Sequence, residues 1–196
     1  MSRAATRSRS TAETTIDVAL DLDGSGRIEV DTGLPFFDHM LHQLGRHGGF
    51  DLAVKAKGDL EIDSHHTVED TGILLGETFK EALGDKAGVR RFANIAVPLD
   101  EAVVDVVLDL SGRPYLHYDV DPPGEKILGR PPFDPQLCEE FWRAFATAAA
   151  VTLHIVLVRG RNTHHIIEAS FKAVARALRD AVRVEGGGVP STKGTL

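Results

Sequence analysis

The segment Glu13-Thr-Thr-Ile-Asp-Val-Ala-Leu-Asp-Leu22 recurs as Glu101-Ala-Val-Val-Asp-Val-Val-Leu-Asp-Leu110, with identity at six of the ten positions. A match of this length inside one chain constrains the fold more than composition can, because the same small unit has to be built twice. The correspondence continues downstream. Residues 36–44 and 137–145 both carry helical spacing, 51–57 and 152–158 both read as strands, and His-His-x-x-Glu stands at 65–69 and again at 164–168. The chain therefore reads as a single domain, 1–196, built of two repeats of about 10–90 and 91–185 followed by a tail, 186–196.

Within each repeat, strands come first, then a helix, a strand and a second helix. Ile16, Val18, Leu20 and Leu22 alternate with polar residues, and Asp23-Gly24-Ser25-Gly26 follows, which predicts a hairpin with residues 27–30 as its return strand. Residues 103–110, Ser111-Gly112 and 113–120 repeat that reading. Apolar stripes at Ile73, Leu74, Phe79 and Leu83, and at Phe171, Val174, Leu178 and Val182, give the last helix of each half one buried face. One-sided helices on strand-rich halves predict an α+β fold of duplicated halves, with two small, mostly antiparallel sheets and the helices packed between them. The stretch from Pro122-Pro123-Gly124 to Pro131-Pro132 has no counterpart in the first half and reads as an inserted loop.

At 196 residues and 42% hydrophobic, the chain can bury a substantial core. No run approaches the roughly 20 apolar residues that span a bilayer, and residues 1–15 are rich in Ser, Arg and Thr without the apolar centre of a secretory signal. A cytoplasmic protein without membrane partners is expected. A net charge of −7 argues against nucleic acid as a partner. The single cysteine, Cys138, lies among Leu137, Phe141 and Trp142 and reads as a packed apolar residue rather than a nucleophile.

The repeated His-His-x-x-Glu run carries the chemistry. On a helix, residues three or four apart share a face, so Glu69 can join His65 or His66 on one ion, whereas adjacent histidines point about 100° apart. Each run is thus expected to serve two different metal ions. The alignment of the halves also sets His39 opposite Glu140, a potential ligand of different chemical type at an equivalent place, with Glu139 offering the same chemistry next to it. Two functions fit such a pattern on residue types alone: a two-metal hydrolase of phosphate esters, or an assembly protein joined by metal. His117 and His154 match no ligand position, and His154 alternates with apolar neighbours as a core or interface histidine would.

Leu34-Pro-Phe-Phe-Asp-His-Met40, Asp63-Ser-His-His-Thr-Val-Glu-Asp70, Ser111-Gly-Arg-Pro114, His164-His-Ile-Ile-Glu-Ala-Ser-Phe-Lys172 and Pro190-Ser-Thr-Lys-Gly194 together resemble the imidazoleglycerol-phosphate dehydratase family, in order and over nearly the whole chain. The resemblance implies a fold similar to the second domain of ribosomal protein S5. It implies loss of water from imidazole glycerol phosphate to give imidazole acetol phosphate, in L-histidine biosynthesis. It also implies two Mn2+ per chain and a homo-oligomer of twenty-four copies with sites between them. The implied metal ligands are His39, His65, His66, Glu69, Glu140, His164, His165 and Glu168. The implied phosphate partners are Arg91, Arg113, Lys172, Ser191 and Lys193, with Thr192 beside them and Gln43 and His42 or His47 lining the pocket. Glu168 is expected to carry the proton at carbon and Glu13 to act at the departing hydroxyl, with Glu69 beside the metals as a further proton carrier.

Overall fold

The computed structural model describes residues 3–123 and 128–196. The first half runs β1 (Ala4–Ser10), β2 (Thr14–Asp21), β3 (Ile28–Asp31), α1 (Pro35–Gly48), β4 (Asp51–Gly58) and α2 (His65–Leu83). The second repeats it as β5 (Phe92–Leu99), β6 (Ala102–Asp109), β7 (Tyr115–Asp119), α3 (Leu137–Ala149), β8 (Thr152–Arg159) and α4 (Thr163–Ala181). Each half makes one four-stranded sheet, in the orders β1-β2-β4-β3 and β5-β6-β8-β7. The duplication read from the sequence is a duplication of topology.

The hairpin expected between β2 and residues 27–30 is not formed. β2 pairs antiparallel with β1 and β4, and β3 lies parallel to β4 on its far side, Val30 opposite Val54. The cause is Asp51, the first residue of β4. Its carboxylate accepts hydrogen bonds from the backbone N–H of Ser25 (2.7 Å) and Arg27 (3.0 Å) and from the Arg27 guanidinium (2.9 and 2.7 Å). The glycine-rich turn is thereby pinned to the start of β4 and hands the chain past it. Gly24 is needed there, because a Cβ would stand 2.2 Å from the Asp51 nitrogen. In the second half β6 and β7 likewise both flank β8. The true hairpin partner of β2 is β1, which the polar start of the sequence conceals.

Alternate residues of the central strands, Ile16, Val18 and Leu20 in β2 and Val104, Val106 and Leu108 in β6, are buried against the helices. All four helices lie between the two sheets, and they pair across the halves: α1 packs on α4, and α2 on α3. Gly72 and Gly76 let the α2 backbone come close to α3, since a Cβ on either would lie 2.7 Å from a carbonyl oxygen, of Phe141 or Phe145. Trp142, Phe141 and Phe171 meet at the centre of this layer, with ring centroids 4.7–5.5 Å apart. Cys138 is buried beside them, and burial pushes its thiol well above the ordinary range. His154 is not in the core. It is half-buried on the outer face of the second sheet, its ring tilted between those of Tyr115 and His117 at 5.5 Å from each.

Part of the inserted loop, residues 124–127, lies outside the described residues; the remainder packs back through Phe133, whose ring meets Phe36 and Phe37. Ser64 donates to the carbonyl of Pro132 (3.0 Å), tying this loop to the start of α2. Beyond α4 the tail runs past Gly88, where Glu185 donates to the Gly88 carbonyl and Gly88 to that of Gly188.

Candidate active site

The histidine pairs occupy the first turns of α2 and α4, and a polar side chain just ahead of each pair holds its backbone. Asp63 accepts the backbone N–H of His65 (2.7 Å), and Asn162 accepts those of His164 (2.9 Å) and His165 (3.3 Å). Because α1 packs on α4, His39 of the first half meets His164 and Glu168 of the second. Glu168 Oε2 lies 3.1 Å from His39 Nε2 and 2.9 Å from His164 Nε2. One ligand atom from each of these three residues lies within 4.8 Å of the other two. Donors about 2.1 Å from a single divalent ion stand at most roughly 4.2 Å apart, so a small contraction converts the triad into a metal site of two imidazoles and a carboxylate. The residues fit a divalent cation.

Burial opposes the Glu168 charge, but Lys172, His39 and His164 outweigh it and hold the carboxyl down at about 2. Lys172 Nζ sits 2.6 Å from Glu168 Oε1, one turn along α4. Gln43, one turn beyond His39, reaches His39 Nδ1 at 3.4 Å. His47, another turn on, is pushed below the ordinary imidazole value by burial and then by the nearby charges of Lys172 and Arg176. The alternative, His42, is exposed.

The other metal candidates are placed differently. His65 Nε2 is 3.8 Å from Glu69 Oε2, and His65 shares a cavity of about 440 Å³ with Glu140, Asp134 and Gln136. Glu140 therefore faces the first-half motif, and it lies 3.7 Å from the Arg143 guanidinium. Glu139 pairs with Arg143 and does not line that cavity. His66 and His165 turn away from these centres toward carboxylates, Asp59 and Glu13 for one, Glu101 and Asp100 for the other. Each half's motif thus splits its two histidines between two directions. Asp59, Asp100 and Glu101 carried no motif signal of their own, although Glu101 is the repeat partner of Glu13.

The residues expected around phosphate do not assemble with the histidines. Arg91 bonds Asp109 (2.7 and 3.1 Å) and the carbonyl of Pro190 (2.8 Å), and its backbone N–H reaches the carbonyl of Ala181 at the far end of α4. Arg113 lies 4.0 Å from the same Asp109. Ser191, Thr192 and Lys193 follow in the tail that Arg91 holds; the Ser191 hydroxyl accepts the Lys193 amide. Lys172 alone among the expected anion partners sits at the histidine end. Within one chain, the cationic group and the metal-ligand group are separated by the length of a helix of 19 residues.

The fold and its sequence have known counterparts. The family model for imidazoleglycerol-phosphate dehydratase matches residues 32–178. The chain belongs to this family. Among curated dehydratases, that of Gluconacetobacter diazotrophicus is 58% identical over 99% of this chain and 98% of its own length, and that of Acidothermus cellulolyticus 56% identical over 99% and 93%. The crystal structure of the Staphylococcus aureus dehydratase matches with a TM-score of 0.82 at 38% identity, covering 92% of this chain and 99% of that one. That of Pyrococcus furiosus, in complex with (S)-C348, matches at 0.83 and 38%, covering 97% and 100%. The protein is accordingly a dehydratase, a hydro-lyase acting on a small molecule, and no helix among the described residues is long and apolar enough to cross a membrane.

Proposed function

We propose that this dehydratase converts imidazole glycerol phosphate to imidazole acetol phosphate, within L-histidine biosynthesis in the cytoplasm, using two Mn2+ per chain held by His39, His65, His66, Glu69, Glu140, His164, His165 and Glu168. The observation that carries the reading is the convergence of His39, His164 and Glu168 across the two halves. Bound there, manganese would supply Lewis acidity at the imidazole end of the substrate.

The chain's own residues supply the rest. A half-buried line of His39, Gln43 and His47 on α1 opposite Glu168 and Lys172 on α4 orients the imidazole end. Arg91, Arg113, Ser191 and Lys193 bind the phosphate dianion, for which guanidinium and ammonium donors are suited. Glu168, 3.1 Å from His39 Nε2, 2.9 Å from His164 Nε2 and 2.6 Å from Lys172 Nζ, stands beside the metal ligands and carries the proton at carbon. Glu69, its half-exposed repeat partner, serves as a further proton carrier beside the metals, and Glu13 acts at the departing hydroxyl.

Because the phosphate and metal groups of one chain lie a helix length apart, a complete site draws them from different copies, in keeping with a homo-oligomer of twenty-four chains. A phosphatase-like hydrolase is less favoured, since no aspartate joins the three-donor cluster among the described residues. The deciding experiment supplies imidazole glycerol phosphate to the manganese-loaded protein and follows ketone formation. Absence of product with the metal sites filled would sink the proposal.

A further inference from the structure

The two outer histidines, His66 and His165, are built alike but from different parts. Each has its Nδ1 against one carboxylate and its Nε2 3.8 Å from a second. For His165 both carboxylates come from the β5–β6 turn: Glu101 Oε2 takes Nδ1 at 2.8 Å, and Asp100 faces Nε2. For His66 the Nδ1 partner is Asp59, at 3.0 and 3.2 Å, and the β1–β2 turn supplies Glu13 to the Nε2 side. Yet Glu13 and Glu101 are repeat equivalents, each opening the duplicated ten-residue pattern. The same ancestral position thus faces opposite nitrogens of the same ring.

The substitution that permits this lies at the end of the third strand of each sheet. Asp59 directly follows β4, whereas Gly160 directly follows β8 and carries no side chain to take Nδ1. In the second half Glu101 fills that need, and its other oxygen also accepts the backbone N–H of Arg161 (3.1 Å) and Asn162 (2.7 Å). Glu101 is thereby fully committed, and its side chain is 29% exposed. Glu13, relieved by Asp59, keeps one long contact and is 54% exposed.

We infer that Asp59 and Glu101 are the positioning residues that aim Nε2 of His66 and His165 outward for metal, and that Asp59 has released Glu13 from this task for work on the substrate. The inference rests on the dehydratase reading only for the statement that a metal meets Nε2. A carboxylate on the distal N–H of a ligating imidazole fixes ring orientation and raises ligand strength, and its loss costs about 10–100-fold in metal affinity.

The test titrates Mn2+ into the full-length chain without substrate, for the parent and for D59N, E101Q and E13Q. E101Q retains an oxygen for the Arg161 and Asn162 amides, so the loop stays closed while the charge is lost, and metal-free melting curves report any unfolding. D59N and E101Q are expected to bind manganese about 10–100-fold more weakly, and E13Q as tightly as the parent. Histidine 15N spectra of the metal-free protein give a second readout: His66 and His165 carry their proton on Nδ1 in the parent, and D59A and E101A lose that preference. Parental affinity in both D59N and E101Q, or an equal loss in E13Q, would overturn the assignment. Turnover is measured separately, so a chain that binds manganese as described but forms no ketone counts against the dehydratase reading alone.

Discussion

Arg91 and His164 stand at opposite ends of one helix: the Arg91 amide bonds the carbonyl of Ala181, where α4 ends, and His164 lies in its first turn. At about 1.5 Å per residue, the span of α4 from His164 to Ala181 separates them by roughly 26 Å, well beyond the reach of one small phosphorylated substrate. R91A and H164A are therefore each expected to abolish activity. Co-expressed in equal amounts, they regain roughly one quarter of it, because a site drawing His164 from one copy and Arg91 from another is intact in one of four random pairings. Activity that stays at the level of the separate variants would place both residues in one chain's site.

A second expectation concerns Gly76. A Cβ there would stand 2.7 Å from the Phe145 carbonyl oxygen and 3.0 Å from the Ala149 nitrogen, both backbone atoms that cannot swing aside. Alanine in a helix gains up to about 1 kcal/mol over glycine, but forcing α2 and α3 apart costs about 1–3 kcal/mol or more. The steric term wins, and G76A lowers stability in urea. Gly84, with nothing within 4 Å, has no such clash, but its φ of +62 makes alanine strained for a different reason.

Much of this fold was legible because the repeat was: six identities in ten positions fixed equivalent elements, and the apolar stripes showed which faces were buried. The strand pairing was not. An alternating strand followed by a glycine turn looks the same whether the chain returns beside itself or passes over a neighbour, and the arbiter, Asp51, comes 24 residues after Arg27 in sequence. β1 was hidden because Ala5 is its one buried residue, amid Thr, Arg and Ser. The site was legible as residue types but not as groupings. Aligning the halves set His39 against Glu140, and nothing in the sequence said that α1 would pack on α4, so that His39 serves the second-half motif and Glu140 faces the first.

Asp51 also gives a signed dependence on pH. Hydrogen bonds from the Arg27 backbone, the Arg27 side chain and the Ser25 backbone hold its carboxyl far below the value of 3.8 that it has when unfolded. A folded value below the unfolded one contributes stability that is present above the unfolded value and lost as pH falls below it. The parent is expected to lose stability from about pH 4 downward. D51N should begin less stable at pH 7 and show a shallower acid limb, read as the urea midpoint against pH. Parallel limbs would show that Asp51 does not titrate with folding.

The asymmetry between His39 and Glu140 predicts two unequal metal sites. His39 already lies 3.1 Å from Glu168, with His164 beside it, and its ring is held by Gln43. Glu140 lies 3.7 Å from Arg143, its side chain is 34% exposed, and it must leave that guanidinium before it can face an ion with His65. Removing a ligand from the assembled cluster costs more than removing one that must first be freed. H39A is expected to lower bound manganese from about two ions per chain toward one. E140A keeps both ions and weakens one, and R143A, which frees Glu140, tightens it. Equal losses in H39A and E140A by metal analysis after gel filtration would show that the two sites are built alike.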